Sequence, residues 1–198
     1  SVREPMTAYP IQYAKVQPPP LREETLARDR LLDRLHAKIH SRVILILADA
    51  GYGLSAQFRQ ELTRRNLTWA VGIPRHLKVY PVGVQLIWPI ARRGRPRQRS
   101  IPDVLSAAAE DMLADAKWQN ITWRTGTKGK LRARFAAVRV RTADGPPQRI
   151  GDKGQQHLPG DKAWLIGEQR ASGEKKYYLA NLPAGTSLRT LAATIKAR

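Results

Sequence analysis

The chain has 198 residues, 42% of them hydrophobic, which is enough for a packed core of one or two domains and excludes disorder throughout. Its 35 Lys plus Arg against 16 Asp plus Glu give a formal charge of +19, a field that attracts polyanions: nucleic acid first, with an anionic membrane surface or an acidic protein as alternatives. Zero cysteines exclude disulfides, thiolate zinc sites and a cysteine nucleophile, and with neither a run of roughly 18 uncharged apolar residues nor a signal-peptide start the chain reads as intracellular, cytoplasmic and free of a membrane partner.

Residues 1–20 contain Pro5, Pro10 and the Pro18-Pro19-Pro20 run, so they read as an extended lead-in. Leu31, Leu32, Leu35 and Ile39 recur at helical spacing between residues 21 and 40, which predicts an amphipathic helix. Val43-Ile44-Leu45-Ile46-Leu47-Ala48 is a short continuous apolar run closed by Gly51-Tyr52-Gly53, the pattern of a buried central strand with Asp49 at its carboxyl end. Ser55 can cap a helix over 56–65 with Phe58 and Leu62 inward and Asn66 as a left-handed stop; residues 67–73 then make the next strand. Residues 78–88 hold strand pieces broken by Pro81 and Gly83. Arg92, Arg93, Arg95, Arg97 and Arg99 lie on a basic loop, and Pro102 and Asp103 open a helix over 104–114. Strands follow over 118–125, 132–142, 163–170 and 175–182, separated by Gly, Pro and Asp turns. A last helix starts near Ser187 with Leu188, Leu191, Ala192 and Ile195 on its apolar face and no stop signal before Arg198, so the pattern reads as cut within a helix.

Charge is uneven along the chain: residues 1–48 carry +3 and residues 49–198 carry +16. The arginines at 92–99 form the densest cluster and are the first candidate for DNA phosphates, with Arg124, Lys128, Lys130, Arg132 and Arg134 the second. The five tryptophans read as core residues, except that Trp123, beside Arg124 and a Gly-rich turn, is a candidate for stacking on a distorted base. His36 and His40 stand at i, i+4 with no further ligands at metal spacing, and Ser55 has no triad partners.

A carboxylate held rigidly at a strand end is a position from which enzymes of phosphoryl transfer hold Mg²⁺, although a turn or helix-capping role fits an isolated Asp as well. Leu45-Ile46-Leu47-Ala48-Asp49-Ala50-Gly51-Tyr52-Gly53, the helix from Ser55 to Leu62 and Trp69-Ala70-Val71-Gly72-Ile73-Pro74 resemble the insertion-sequence transposases of the DDE superfamily. The likeness continues through Trp123-Arg124-Thr125-Gly126-Thr127-Lys128-Gly129, residues 133–140, Trp164-Leu165-Ile166-Gly167-Glu168 and residues 175–183, and covers about 44–198. It implies an α/β (α+β) chain: an incomplete ribonuclease H-like core with a β-rich insertion, in which three carboxylates on a mixed sheet hold two divalent metals, Mg²⁺ or Mn²⁺, for cleavage and transfer of DNA strands. On that pattern residues 1–42 are the Pro-rich lead-in and amphipathic helix. Residues 43–74 are the β-α-β part of the core, about 75–182 the basic insertion and 186–198 the start of the final core helix.

In the family pattern Asp49 corresponds to the second acidic ligand. The first belongs on an upstream strand, and residues 1–43 show no strand that carries one. The third belongs on the helix that begins near Ser187, at a position expected beyond Arg198; Glu168 and Glu174 fall in strand and turn and do not match. Asp49 is therefore the one catalytic and metal-ligand residue assigned, and the implied partner is DNA at insertion-sequence ends, in the nucleoid, with a homodimer in the DNA complex allowed. Residues 15–53 also resemble the entry to the ATPase domain of LuxR-type transcription activators, through Lys15-Val16-Gln17-Pro18-Pro19-Pro20-Leu21-Arg22, Arg28–Leu35 and Ala50-Gly51-Tyr52-Gly53. Gly53-Leu54-Ser55 stands where those proteins have Gly-Lys-Thr, so no nucleotide is expected. Three functions follow in order: an incomplete DDE transposase, a non-catalytic DNA-binding remnant, and a LuxR-type regulatory module, with a junction of two families near 49–53.

Overall fold

The computed structural model describes residues 13–15, 45–88, 99–127, 129–149 and 154–197. The predicted helix over 21–40 lies outside them, as do His36, His40, Lys128 and residues 92–98 of the basic loop.

The apolar run before Asp49 forms β2 (Leu45–Ala48), and a short strand far upstream, β1 (Tyr13–Lys15), lies parallel to it with Tyr13 opposite Leu45 and Lys15 opposite Leu47. β1 is a strand that the sequence did not predict; the expectation concerned an upstream strand carrying an acidic ligand, and β1 carries none. Three residues without β-branched alternation leave no sequence signal, and the pairing is supplied by β2; none of the three is acidic. After Asp49 the chain makes one helical turn, α1 (Ala50–Gly53), and then α2 (Ala56–Arg64), where Ser55 Oγ accepts from the Phe58 amide at 3.3 Å. Asn66 closes α2 in the left-handed region at φ 55°, as predicted. β3 (Thr68–Ile73) returns parallel to β2, with Ala48 opposite Val71.

The following segment is mostly β: β4 (Lys78–Pro81), β5 (Leu86–Ile87), β6 (Ile101–Pro102) and β7 (Ala107–Ala108) precede the single turn α3 (Ala109–Met112). The helix expected over 104–114 thus shrinks to four residues. Ala107 and Ala108 are taken by β4, and the Asp103 carboxylate accepts from the Gln85 amide at 3.0 Å instead of capping a helix. Then come β8 (Gln119–Gly126), β9 (Gly129–Thr142), the hairpin β10 (Pro147–Arg149) and β11 (Gln155–His157), β12 (Lys162–Gln169), β13 (Lys175–Ala180) and α4 (Leu188–Ile195). The β10–β11 hairpin occupies what the sequence suggested were only turns. Ser187 caps α4 by accepting from the Thr190 amide at 3.1 Å.

Nine strands make one mixed sheet in the order β1-β2-β3-β13-β12-β9-β4-β7, with β8 also paired to β9. The first three are parallel and the rest antiparallel. Strand alternation sorts the core onto two faces. Ile46, Val71, Leu179, Leu165 and Val140 meet Phe58 and Leu62 of α2 on one face. Ala70, Ile166, Ala180 and Phe135 meet Leu191, Ala192 and Ile195 of α4 on the other. Each large apolar side chain so buried contributes about 1.5–3 kcal/mol.

A buried ion pair ties α2 to the end of β9: Arg59 and Asp144 meet at 2.8 Å with side chains only 4% and 8% exposed. Arg59 also donates to the Gly53 carbonyl, which locks α1 to α2. Gly53 faces the Gly72 carbonyl of β3 so closely that a Cβ there would lie 1.8 Å from its oxygen. Glycine at 53 is what lets α1 lie on β3 and holds Asp49 at the sheet edge.

Candidate nucleic-acid interface

Because β2 and β3 are parallel, their carboxyl ends open on the same edge of the sheet, the usual location of a ligand crevice in α/β proteins. Antiparallel β13 begins at that edge, with Tyr177 opposite Ile73, and its hairpin partner β12 ends there. An open cleft of about 620 Å³ results. Asp49 and Ala50, Gly72 to Arg75, Arg170, Lys175 to Tyr178, and Ile195 and Lys196 at the end of α4 line it.

Asp49 is the N-cap of α1. Its Oδ1 accepts from the amides of Gly51 at 3.0 Å and Tyr52 at 3.4 Å. The capping role allowed by the sequence is thus present, worth about 1 kcal/mol, and it fixes the carboxylate at the mouth of the cleft. Around it stand five cations, Arg75, Arg170, Lys175, Lys176 and Lys196. Arg75 is 73% exposed with Glu110 3.8 Å away, a contact too long and too wet to neutralise it. The Lys175 ammonium lies over the Trp118 ring, 5.7 Å from its centroid.

Behind the cleft is Glu168, a carboxylate 1% exposed. It accepts from the Tyr178 hydroxyl at 2.9 Å and pairs with Lys196 and, at 3.4 Å, with Arg170. Burial alone would raise its carboxyl pKa, but hydrogen bonds from Lys196 and Tyr178 and the charges of Lys196 and Arg170 outweigh burial and hold it below the ordinary 4.5. Burial also raises the Tyr177 phenol above its ordinary value, so both groups keep their neutral-pH charge state.

The donor set does not suit a pair of divalent ions. Among the described residues no three His, Asp or Glu side chains come together, and the cleft offers one carboxylate against five cations, whereas Mg²⁺ wants carboxylates and water.

Of the candidate catalytic and DNA-binding residues read from the sequence, Asp49 alone among the described residues lines the cleft. Arg99 is exposed just before β6, and Arg124 and Lys130 are exposed on the β8–β9 hairpin. Arg132 and Arg134 line a second groove with Asn120, Gln169 and Arg170. Trp123 is half-buried, edge-on to Phe135 at 5.7 Å, with the Lys196 ammonium 5.2 Å from its ring centroid. Trp88, expected in the core, is instead 66% exposed. The cleft cations were missed because they are scattered in sequence. Their signal was topological: Arg75 follows the strand parallel to that of Asp49, and Arg170, Lys175 and Lys176 flank one tight hairpin with Gly173 at φ 84°.

Comparison with known proteins finds no match among curated ones. A family model described as DDE superfamily endonuclease matches residues 15–130, more than half of the chain. The matched span takes in residues 15–43 and crosses 49–53, so the likeness of residues 15–53 to LuxR-type activators is not supported and no junction of two families is needed there. With Asp49 inside that span, the chain belongs to the DDE superfamily endonuclease family.

Proposed function

We propose that this chain is the Asp49-bearing part of a DDE transposase catalytic domain, and that its cleft holds the DNA backbone beside Asp49. The observation that carries this reading is the joint placement of Asp49 and five cations at the carboxyl edge of a sheet whose family acts on DNA. Lys and Arg there would displace counterions from phosphates, which supplies affinity without sequence readout. In the ribonuclease H-like arrangement β2 is the strand of the second acidic ligand, β4 to β13 are the β-rich insertion, and α4 is the start of the final core helix. That α4 ends with Ile195 and Lys196 in the same cleft as Asp49 supports this placement. Mg²⁺ or Mn²⁺ belongs to the family's chemistry, but the described residues do not fit a metal pair, so the reading credits them with holding DNA and not with cutting it.

The test is metal-dependent nicking of supercoiled DNA by the 198-residue chain and its Asp49→Ala variant, beside a binding assay. Salt-dependent binding by both without nicking is the expected result. Nicking that disappears in Asp49→Ala would show a complete active site, and absence of DNA binding would remove the reading altogether.

A further inference from the structure

Glu168 is a carboxylate where the alternation of β12 calls for an apolar residue: Trp164 and Ile166 precede it on the face that meets α4. A buried ion pair is weak evidence of stabilisation, because apolar residues of the same volume often serve as well. Its partners are not buried as it is. The Arg170 side chain is 42% exposed and that of Lys196 16%, and both line the cleft with Asp49. Arg170 in addition lines the groove of Arg132 and Arg134, so it stands where the two depressions meet. Glu168 takes the Nε donor of Arg170 and one of the three donors of Lys196, leaving others free to turn outward. Glu174 holds Arg170 Nη1 at 3.1 Å, and the Trp123 ring lies against the Lys196 ammonium.

We propose that Glu168 is a positioning residue for DNA-backbone binding, a buried carboxylate that fixes Arg170 and Lys196 at the rim of the Asp49 cleft so that their remaining N–H groups meet phosphate oxygens. The proposal rests on the reading of the cleft as a DNA site. Long cationic side chains lose rotamer freedom when they bind, and holding them beforehand reduces that loss.

Charge and positioning predict opposite signs. Glu168→Gln adds one unit of positive charge, so a merely electrostatic role makes duplex DNA bind more tightly. Positioning makes it bind more weakly, by roughly threefold to tenfold at fixed salt, the ordering cost of about one long side chain. Affinity that rises or stays unchanged in a folded Glu168→Gln chain overturns the proposal. Lys196→Gln gives a readout independent of whether that variant folds: the log–log salt slope falls by about 0.9 if Lys196 meets a phosphate, and an unchanged slope overturns the proposal. Adding Glu168→Gln to Arg170→Gln/Lys196→Gln should weaken binding no further, and a further loss also counts against it. Arg75→Gln separates the two levels, since an unchanged slope there refutes the cleft reading itself. A reduced slope there with no loss in Glu168→Gln refutes only the positioning role.

Discussion

Replacing Gly53 with alanine tests whether α1 is held against β3 by the absence of a side chain. The new Cβ would lie 1.8 Å from the Gly72 carbonyl oxygen and 2.9 Å from its carbon, whereas ordinary contact begins near 3.4 Å. The two backbones must therefore separate by about 1.6 Å, since a carbonyl fixed in a strand cannot rotate aside as a side chain can. Such overpacking costs about 3 kcal/mol, and alanine's better helix propensity returns about 1 kcal/mol. The net loss of about 2 kcal/mol corresponds to a fall in Tm of roughly 4–8 °C for a chain of this size. Thermal melting by circular dichroism reads it directly, with Gly83→Ala as control, because a Cβ there meets nothing within 4 Å. If Gly53→Ala melts within about 1 °C of the parent, the close approach does not exist and the placement of Asp49 loses its support.

Two further outcomes follow from the same structure and one from the sequence. Arg59→Met leaves the nearly buried Asp144 carboxylate without its ion-pair partner, so urea unfolding should show a loss of about 3 kcal/mol; a loss below about 1 kcal/mol would mean the pair is effectively solvated. Glu168 titrates below its ordinary value when folded, so its stabilising contribution is full above about pH 5 and is lost as pH falls through the lowered folded pKa. The Tm difference between the parent and Glu168→Gln should accordingly shrink as pH falls from neutrality to below about 4, and a difference constant over that range would refute the pairing. If the Arg-rich loop also contacts DNA, Arg93→Gln/Arg95→Gln/Arg97→Gln should lower the log–log salt slope by roughly 2–3, and an unchanged slope removes that assignment.

What could be read from the sequence was what is local. β2, α2 and β3 follow from an apolar run, a serine cap, the Phe58 and Leu62 stripe and a left-handed Asn66, all within thirty residues of one another. Asp49 could be placed at a strand end for the same reason. Elements that depend on a distant partner could not be found in this way. β1 has three residues and exists by pairing with a strand thirty residues on, while Ala107 and Ala108 become strand because β4 takes them. The basic cleft is distant in the same sense. Arg75, Arg170, Lys175, Lys176 and Lys196 meet only because β13 is inserted between β3 and β12. Glu168 left a usable clue, since the alternation of Trp164 and Ile166 already pointed it inward, but its Lys196 partner lies on an element that packs only in three dimensions.

The claim that the cleft beside Asp49 carries the DNA backbone is tested most directly by the salt dependence of duplex binding in the parent and in Arg75→Gln/Lys175→Gln/Lys176→Gln. Three lost phosphate contacts predict a log–log slope smaller by about 2.7 with melting temperature preserved; a folded triple variant with the parent slope would contradict the claim.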